Sequence, residues 1–254
     1  LDELKRSIQN NKVKFPCVWK KTKFGYDGFG VKILNSIDDI NNLPNSEMII
    51  EDYIPFEKEL SVIVARNVKG DIKCYRTVEM EFNNISNQVE YVISPGKISE
   101  EIDNEAQKLA IKLSESLDCV GLLAVEMFMN KNKILVNEVA PRPHNSGHFS
   151  IEACESSQFQ QHIRAIFNLD LGETKHSGSA IMLNLVGEKG FKGKVFYENL
   201  DEVFNDKSAN LHIYGKEETR PNRKMGHVTI ICDKFEEAYK KAKTLKDTIK
   251  IKTK

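Results

Sequence analysis

Two glutamates, Glu126 and Glu138, interrupt the apolar runs LLAVEMFM and ILVNEVA, and the second run empties into PRPHNSGH. Carboxylates are seldom buried without a partner, so acids among apolar neighbours point to a bound cation. Turn signals closing apolar runs are the mark of strands, and residues 122–129, 130–133 and 134–140 fit strand, loop and strand. If the loop has four residues, Glu126 pairs with Asn137 and the two carboxylates face opposite sides, because side chains alternate along a strand. An odd loop sets Glu126 directly opposite Glu138, a like-charge pair that is destabilising by itself and calls for a cation. Mg²⁺ suits such oxygen ligands, since it takes one or two carboxylates plus substrate phosphates. Two exposed glutamates on a solvated face are the plain alternative.

Further along, Pro141 and Pro143 stiffen a loop carrying Arg142, His144, Asn145 and His148. The two histidines are four apart, but proline on one side and glycine on the other argue against the helix that a zinc-binding HExxH motif requires. RPNRKMGH places Arg220, Arg223, Lys224 and His227 in a loop before the strand VTIIC. Arginine there can grip phosphate or carboxylate with two hydrogen bonds, although a surface charge run accounts for the same residues. KFGYDGFG holds Gly25, Gly28 and Gly30 beside Lys20, Lys21 and Lys23. Such a loop can bring backbone N–H groups close to phosphate; a hairpin turn with solvated lysines fits equally well. EDYIPFEKE sets Glu51 at a strand end and Glu59 eight residues on, and alone reads as a charged loop. With no GxSxG and no cysteine in a Cys/His constellation, covalent catalysis is not favoured. The parts point to phosphate chemistry by positioning and charge neutralisation.

The elements that must hold these residues follow from the patterning. Strands are predicted at residues 16–20, 31–34 and around MIIEDYI, then an antiparallel meander through ELSVIVARN and IKCYRTVEMEF, where alternation over residues 60–66 implies a strand with one face buried. Ile102, Ala106, Leu109, Ala110, Leu113 and Leu117 fall at helical spacing, and a second helix is expected from about Ser150 to Phe167. Short strands follow, and the amphipathic helix FEEAYKKAKTL is expected to close the chain. The class is α+β, with mostly antiparallel sheets and helices laid against them. In 254 residues, 40% are hydrophobic and 29% charged, enough for a sizeable core. Basic and acidic residues both number 37, so no global field favours nucleic acid or an anionic membrane surface. No stretch approaches the roughly 20 apolar residues of a membrane span. Five scattered cysteines, never spaced CxxC, argue for free thiols in a reducing compartment, the cytoplasm.

The order of motifs is more specific than any one of them. PCVWK, GYDGFG, EDYI with Glu59, AVE, NEVAPRPHNSGH and RPNRKMGH, spanning residues 16–232, closely resemble the N5-carboxyaminoimidazole ribonucleotide synthetases, ATP-grasp ligases of purine synthesis. The resemblance implies an ATP-grasp fold of two α+β subdomains, with residues 1–50 as the small lobe, 51–172 as the large lobe, and 173–254 as a β-rich C-terminal domain. The doubly wound domain that precedes this region in the family is expected to be missing from this chain. Also implied are the cofactors ATP and Mg²⁺, the substrates 5-aminoimidazole ribonucleotide and bicarbonate, and a homodimer. By motif, Lys20 would touch adenine and the α-phosphate, the loop Gly25, Tyr26, Asp27, Gly28, Phe29, Gly30 and Val31 would cover the triphosphate, and Glu51, Asp52, Tyr53 and Ile54 would hold the adenine edge. Glu59 would take the ribose hydroxyls. Glu126 and Glu138, with Asn137 beside them, would hold Mg²⁺. Arg142, His144 and Asn145 would line the bicarbonate and carboxyphosphate pocket, Arg220, Arg223 and Lys224 would hold the ribonucleotide phosphate, and Asp27 with Tyr26 would position its amine. A formate-dependent glycinamide ribonucleotide transformylase is the neighbouring alternative, which RPNRKMGH disfavours; a non-catalytic nucleotide-binding module is the other.

Overall fold

In the computed structural model, the described residues, 1–23 and 30–254, divide between two units: Leu1–Pro55 with Asn84–Gln88, and Phe56–Asn83 with Val89–Lys254. Gly25, Tyr26, Asp27, Gly28 and Phe29, expected above to touch nucleotide or substrate, lie outside the described residues.

The first unit opens with helix α1 (Asp2–Gln9) and builds a three-stranded antiparallel sheet from β1 (Cys17–Lys21), β2 (Val31–Leu34) and β3 (Met48–Asp52), with β1 in the middle. Between β2 and β3 lies a 3₁₀ segment, Ile37–Asn42. It is held by a capping box in which the Asp39 carboxylate accepts from the Asn35 and Ser36 amides at 2.8 and 3.1 Å. Leu4, Cys17, Trp19, Leu34, Ile40 and Leu43 form the core of this unit.

The second unit is organised by a nine-stranded sheet. Its strands are β4 (Lys58–Arg66), β5 (Ile72–Cys74), β6 (Val78–Asn83), β7 (Gln88–Ser94), β8 (Gly121–Asn130), β9 (Lys133–Ala140), β10 (Ser179–Val186), β12 (Ala209–Ile213) and β14 (Lys224–Cys232). Their order is β12-β14-β10-β7-β6-β4-β8-β9, with β5 paired to β4. A small sheet joins β13 (Glu218–Thr219), β11 (Gly193–Glu198) and β15 (Lys250–Thr253). The chain thus does not close on its last helix, because residues 250–253 pair with β11. The helices are α2 (Glu100–Ser116), α3 (Ser150–Ala153), α4 (Gln158–Ile166), α5 (Asp201–Phe204) and α6 (Phe235–Thr248). The single helix expected over 150–167 is therefore two. Ser157 starts the second afresh, accepting from the Gln160 amide while its own amide donates to Gln160 Oε1.

β4 also differs from the expected half-buried strand. Residues 60–65 are all buried, because one face meets α2 through Leu60, Val62 and Val64, and the other packs Ile63 and Ala65 with Phe149, Leu122 and Met182. Each aliphatic side chain so enclosed stabilises the fold by about 1.5–3 kcal/mol. Ser99 caps α2, accepting from the Ile102 amide at 3.3 Å, and Glu100, Glu101 and Asp103 in its first turn face the positive end of the helix dipole. All five cysteines are free thiols; burial pushes Cys154 up to about 12, which keeps it un-ionised and a poor nucleophile. Among the described residues no helix is long and apolar enough to cross a membrane.

Candidate active site

The β8–β9 hairpin turns on only two residues, Lys131 and Asn132, both left-handed (φ 47° and 61°), as a two-residue hairpin turn requires. Asn130 pairs with Lys133 and the register runs unbroken to Met127 opposite Val136; continued, it would set Glu126 against Asn137. A bulge intervenes at Asn137, so that Glu126 stands opposite Glu138. An even loop thus ends in the arrangement expected of an odd one. Ser61 on β4 is the partner of Glu126 on its other side, so Ser61, Glu126 and Glu138 form one row across three strands. Glu59 lies on the same sheet face, two residues along β4. Glu126 is largely enclosed, its side chain 14% exposed, but Glu138 is exposed, as are Leu135, Val136 and Val139. The expected burial of both glutamates fails for Glu138, because β9 is the last strand of the sheet and apolar neighbours do not enclose a residue on an uncovered edge.

The loop after β9 folds back over this row. His144 Nε2 lies 3.4 Å from Glu126 Oε1, its Nδ1 lies 2.9 Å from Ser146 Oγ, and Ser146 Oγ lies 2.8 Å from Ser61 Oγ. Asn145 exchanges two amide hydrogen bonds, at 2.9 and 3.0 Å, with the buried Asn184 of β10. Arg142 is exposed, its Nη1 donating to the Pro143 carbonyl at 3.1 Å.

Only part of RPNRKMGH is a loop. Lys224 through His227 belong to β14, with His227 opposite both Asn184 and His212. Arg220 is exposed, and Arg223 Nη1 donates to the Glu218 carbonyl at 2.8 Å. Imidazoles stack behind Lys224: His148 on His227 at 4.9 Å and His227 on His212 at 4.5 Å between ring centres. His212 also bonds Glu152, and Tyr214 Oη lies 3.0 Å from His227 Nδ1. Burial pushes the His148 pKa down to about 4, helped by the nearby His144, Lys224 and His212. Burial, with His148 and His212 adjoining, takes His227 down to about 3. Both rings are therefore neutral near pH 7. The stacking of His148 on His227 brings the two motif segments together.

In the first unit, Lys20 and Glu51 lie diagonally on one face of the β1–β3 ladder and pair at 2.7 Å. Gly30 has a φ of 91°, open to glycine, and Val31 begins β2 partly exposed. Asp52 and Tyr53 are exposed, and Ile54 is half-buried.

Against known proteins, residues 2–159 match the ATP-grasp domain model. This chain belongs to the ATP-grasp family. Residues 180–241 of this ATP-grasp chain match the phosphoribosylaminoimidazole carboxylase C-terminal domain. The N5-carboxyaminoimidazole ribonucleotide synthase of Bacillus subtilis is 41% identical over 236 residues, covering 91% of this chain and 59% of the relative, so the chain spans little more than half of that protein. The N5-carboxyaminoimidazole ribonucleotide synthetase structure from Thermotoga maritima superposes with a TM-score of 0.88 at 43% identity, covering 98% of this chain and 66% of that one. The Aspergillus clavatus synthase in complex with ADP and 5-aminoimidazole ribonucleotide gives 0.83 at 30% identity, covering 96% and 64%. The α+β reading and the resemblance drawn from the motifs both stand.

Sequence reasoning missed Ser61, Asn184, Gln158, His212, Tyr214 and Lys216, whose Nζ donates to the Lys224 carbonyl at 2.5 Å. For Ser61 and Asn184 a signal existed, since each is a polar residue inside an apolar strand, LSVIVA and MLNLV, the same anomaly that picked out the glutamates.

Proposed function

We propose that this ATP-grasp chain carries the ATP-dependent carboxylation of 5-aminoimidazole ribonucleotide with bicarbonate, giving N5-carboxyaminoimidazole ribonucleotide for purine synthesis. The observation that carries the reading is the bulge at Asn137, which opposes Glu126 and Glu138 on one sheet face. Opposed carboxylates repel unless a cation lies between them. Two oxygen donors fit an ion that draws the rest of its shell from phosphate and water. Mg²⁺ held there would neutralise charge on the transferring phosphate.

In this reading residues 1–50, 51–172 and 173–254 are the small lobe, the large lobe and the C-terminal domain. Lys20, Gly30, Val31, Glu51, Asp52, Tyr53, Ile54, Glu59 and Asn137 serve ATP, together with the loop residues Gly25, Tyr26, Asp27, Gly28 and Phe29. Bicarbonate attacks the γ-phosphorus, ADP leaves, and the resulting carboxyphosphate sits against Arg142, His144 and Asn145. The exocyclic amine of the ribonucleotide, positioned by Tyr26 and Asp27, then attacks the carboxyl carbon and phosphate leaves. Arg220, Arg223 and Lys224 hold the ribonucleotide's own phosphate, with fixed cations stabilising charge that builds as two anions meet. Support for this acceptor comes from the match to the carboxylase C-terminal domain and from the ribonucleotide bound in the Aspergillus relative.

A homodimer in the cytoplasm belongs to the same proposal. The exposed apolar residues Phe159, Ile163, Ile166 and Phe167 are a surface that association would cover. The deciding experiment is ADP release by the full-length protein with Mg-ATP and bicarbonate, with and without 5-aminoimidazole ribonucleotide. Strong stimulation by the ribonucleotide is expected; unstimulated release with ATP still bound would overturn the choice of acceptor.

A further inference from the structure

We propose that Gln158 is a positioning residue that clamps the Arg142–His144–Asn145 loop and ties it to the histidine stack behind Lys224. Gln158 is the first residue of α4 and fully buried. Its Oε1 accepts from the His144 amide at 2.9 Å, while its Nε2 donates to the His144 carbonyl at 2.8 Å and lies 2.9 Å from His148 Nδ1. The amide's orientation is fixed by these partners. Exchanging its oxygen and nitrogen would face NH₂ against the His144 N–H and oxygen against the His144 carbonyl. His148 Nδ1 is then the acceptor and its ring proton resides on Nε2. The backbone is drawn in as well: the Gln158 amide donates to Ser150 Oγ at 2.9 Å, and Ser150 Oγ donates to the Gly147 carbonyl at 2.5 Å. A Cβ on Gly147 would come within 2.6 Å of Gln158 Oε1, so this approach requires glycine at 147.

One side chain thereby holds both polar backbone groups of His144 and, through His148 stacked on His227, reaches the strand that carries Lys224. Small displacements of positioned groups cost about 100-fold in rate. The kinetic part of this inference rests on the carboxylation reading above; the structural part does not.

The test compares Gln158→Met, which keeps the shape without hydrogen bonds, and Gln158→Glu, which keeps the acceptor for the His144 amide, in the full-length protein. In Gln158→Met, hydrogen exchange at the His144 amide is expected to accelerate at least about tenfold. Ligase turnover should fall about 100-fold with the KM for ATP changed less than about threefold. In Gln158→Glu the His144 amide should stay protected. Unchanged exchange at His144 in the Met variant overturns the clamp whether or not the protein carboxylates the ribonucleotide. Accelerated exchange with wild-type turnover overturns its role in the reaction. A wild-type protein without ribonucleotide-stimulated ADP release fails the carboxylation reading alone, and the exchange measurement still decides the clamp. If the Met variant does not fold, the Glu variant carries the test: turnover at least about tenfold lower at unchanged KM for ATP supports the tie made by Nε2 to the His144 carbonyl and His148, and wild-type turnover overturns it.

Discussion

Helices α2 and α4 pack against the same two strands, β4 and β8, and are built the opposite way round. α2 turns Ile102, Ala106 and Ala110 inward. Its neighbours beneath are Leu60, Val62, Leu123 and Val125, and its outer face is charged. α4 buries Gln158, Gln161 and Ala165 and leaves Phe159 and Ile163 42% and 50% exposed. Its inward polar groups are matched in turn. Gln161 exchanges two hydrogen bonds with Gly172 at 2.7 and 2.8 Å, and His162 Nδ1 accepts from the Leu122 amide at 3.3 Å. Hydrogen-bonding groups can face inward only when their partners are already in place, so α4 works as a fastening for the loops and α2 as a wall of the core. The sheet between them has a side that holds the fold and a side that holds the site.

Four measurements would break or sharpen that division. On the site side, Glu126→Gln or Glu138→Gln should lower turnover about 1000-fold while thermal unfolding stays within a few degrees of wild type; undiminished turnover would remove the shared-cation assignment. On the core side, Leu123→Ala should destabilise the protein by about 2–5 kcal/mol in denaturant titration and leave turnover at saturating substrate within about twofold.

Acid should then separate the sides by pH. His148 and His227 are held neutral, with folded pKa values of about 4 and about 3 against about 6.5 unfolded. The unfolded chain binds these protons first. Their contribution is therefore fully present above pH 6.5 and is lost as pH falls through about 4 and then about 3. Asp103, in the first turn of α2, behaves differently. Burial would raise its carboxyl, but hydrogen bonds from Thr77 and Gln107 and the Arg76 charge outweigh that and hold it below the usual range. Its contribution is kept down to about pH 4 and lost only below. Stability measured across pH 7 to 3 should show a loss that begins near pH 6.5 and a further contribution from Asp103 below about pH 4, and His227→Phe should flatten the first. The smallest effect belongs to the outer face of α4: Ile163→Gln should change monomer stability by less than about 0.5 kcal/mol, and sedimentation should show weaker self-association if that face joins two copies.

Much of this was open to a reader of the sequence. The strand after Pro16, the hairpin around Glu126 and Glu138, α2 and the loop after Ala140 all follow from local patterning, because side-chain periodicity and turn chemistry act over a few residues; RPNRKMGH, read as a loop, is strand from Lys224 on. The unbroken helix over 150–167 was not correct. Periodicity carries across residues 154–157, while the Ser157 and Gln160 capping box that restarts the helix competes with continuation only once the chain is folded.

By itself the sequence determined which residues could do chemistry and in what order they come: acids set in apolar strands, glycines and lysines in a loop, cations and imidazoles after prolines. Tertiary structure alone decided that a bulge at Asn137 opposes Glu126 and Glu138 across an even turn, that Glu138 lies open on an edge strand, and that Gln158 and Asn184 hold the loop residues at 144 and 145. The physical reason is that register, burial and hydrogen-bond partnership belong to pairs of segments, and a pair exists only when distant stretches of chain have been brought together.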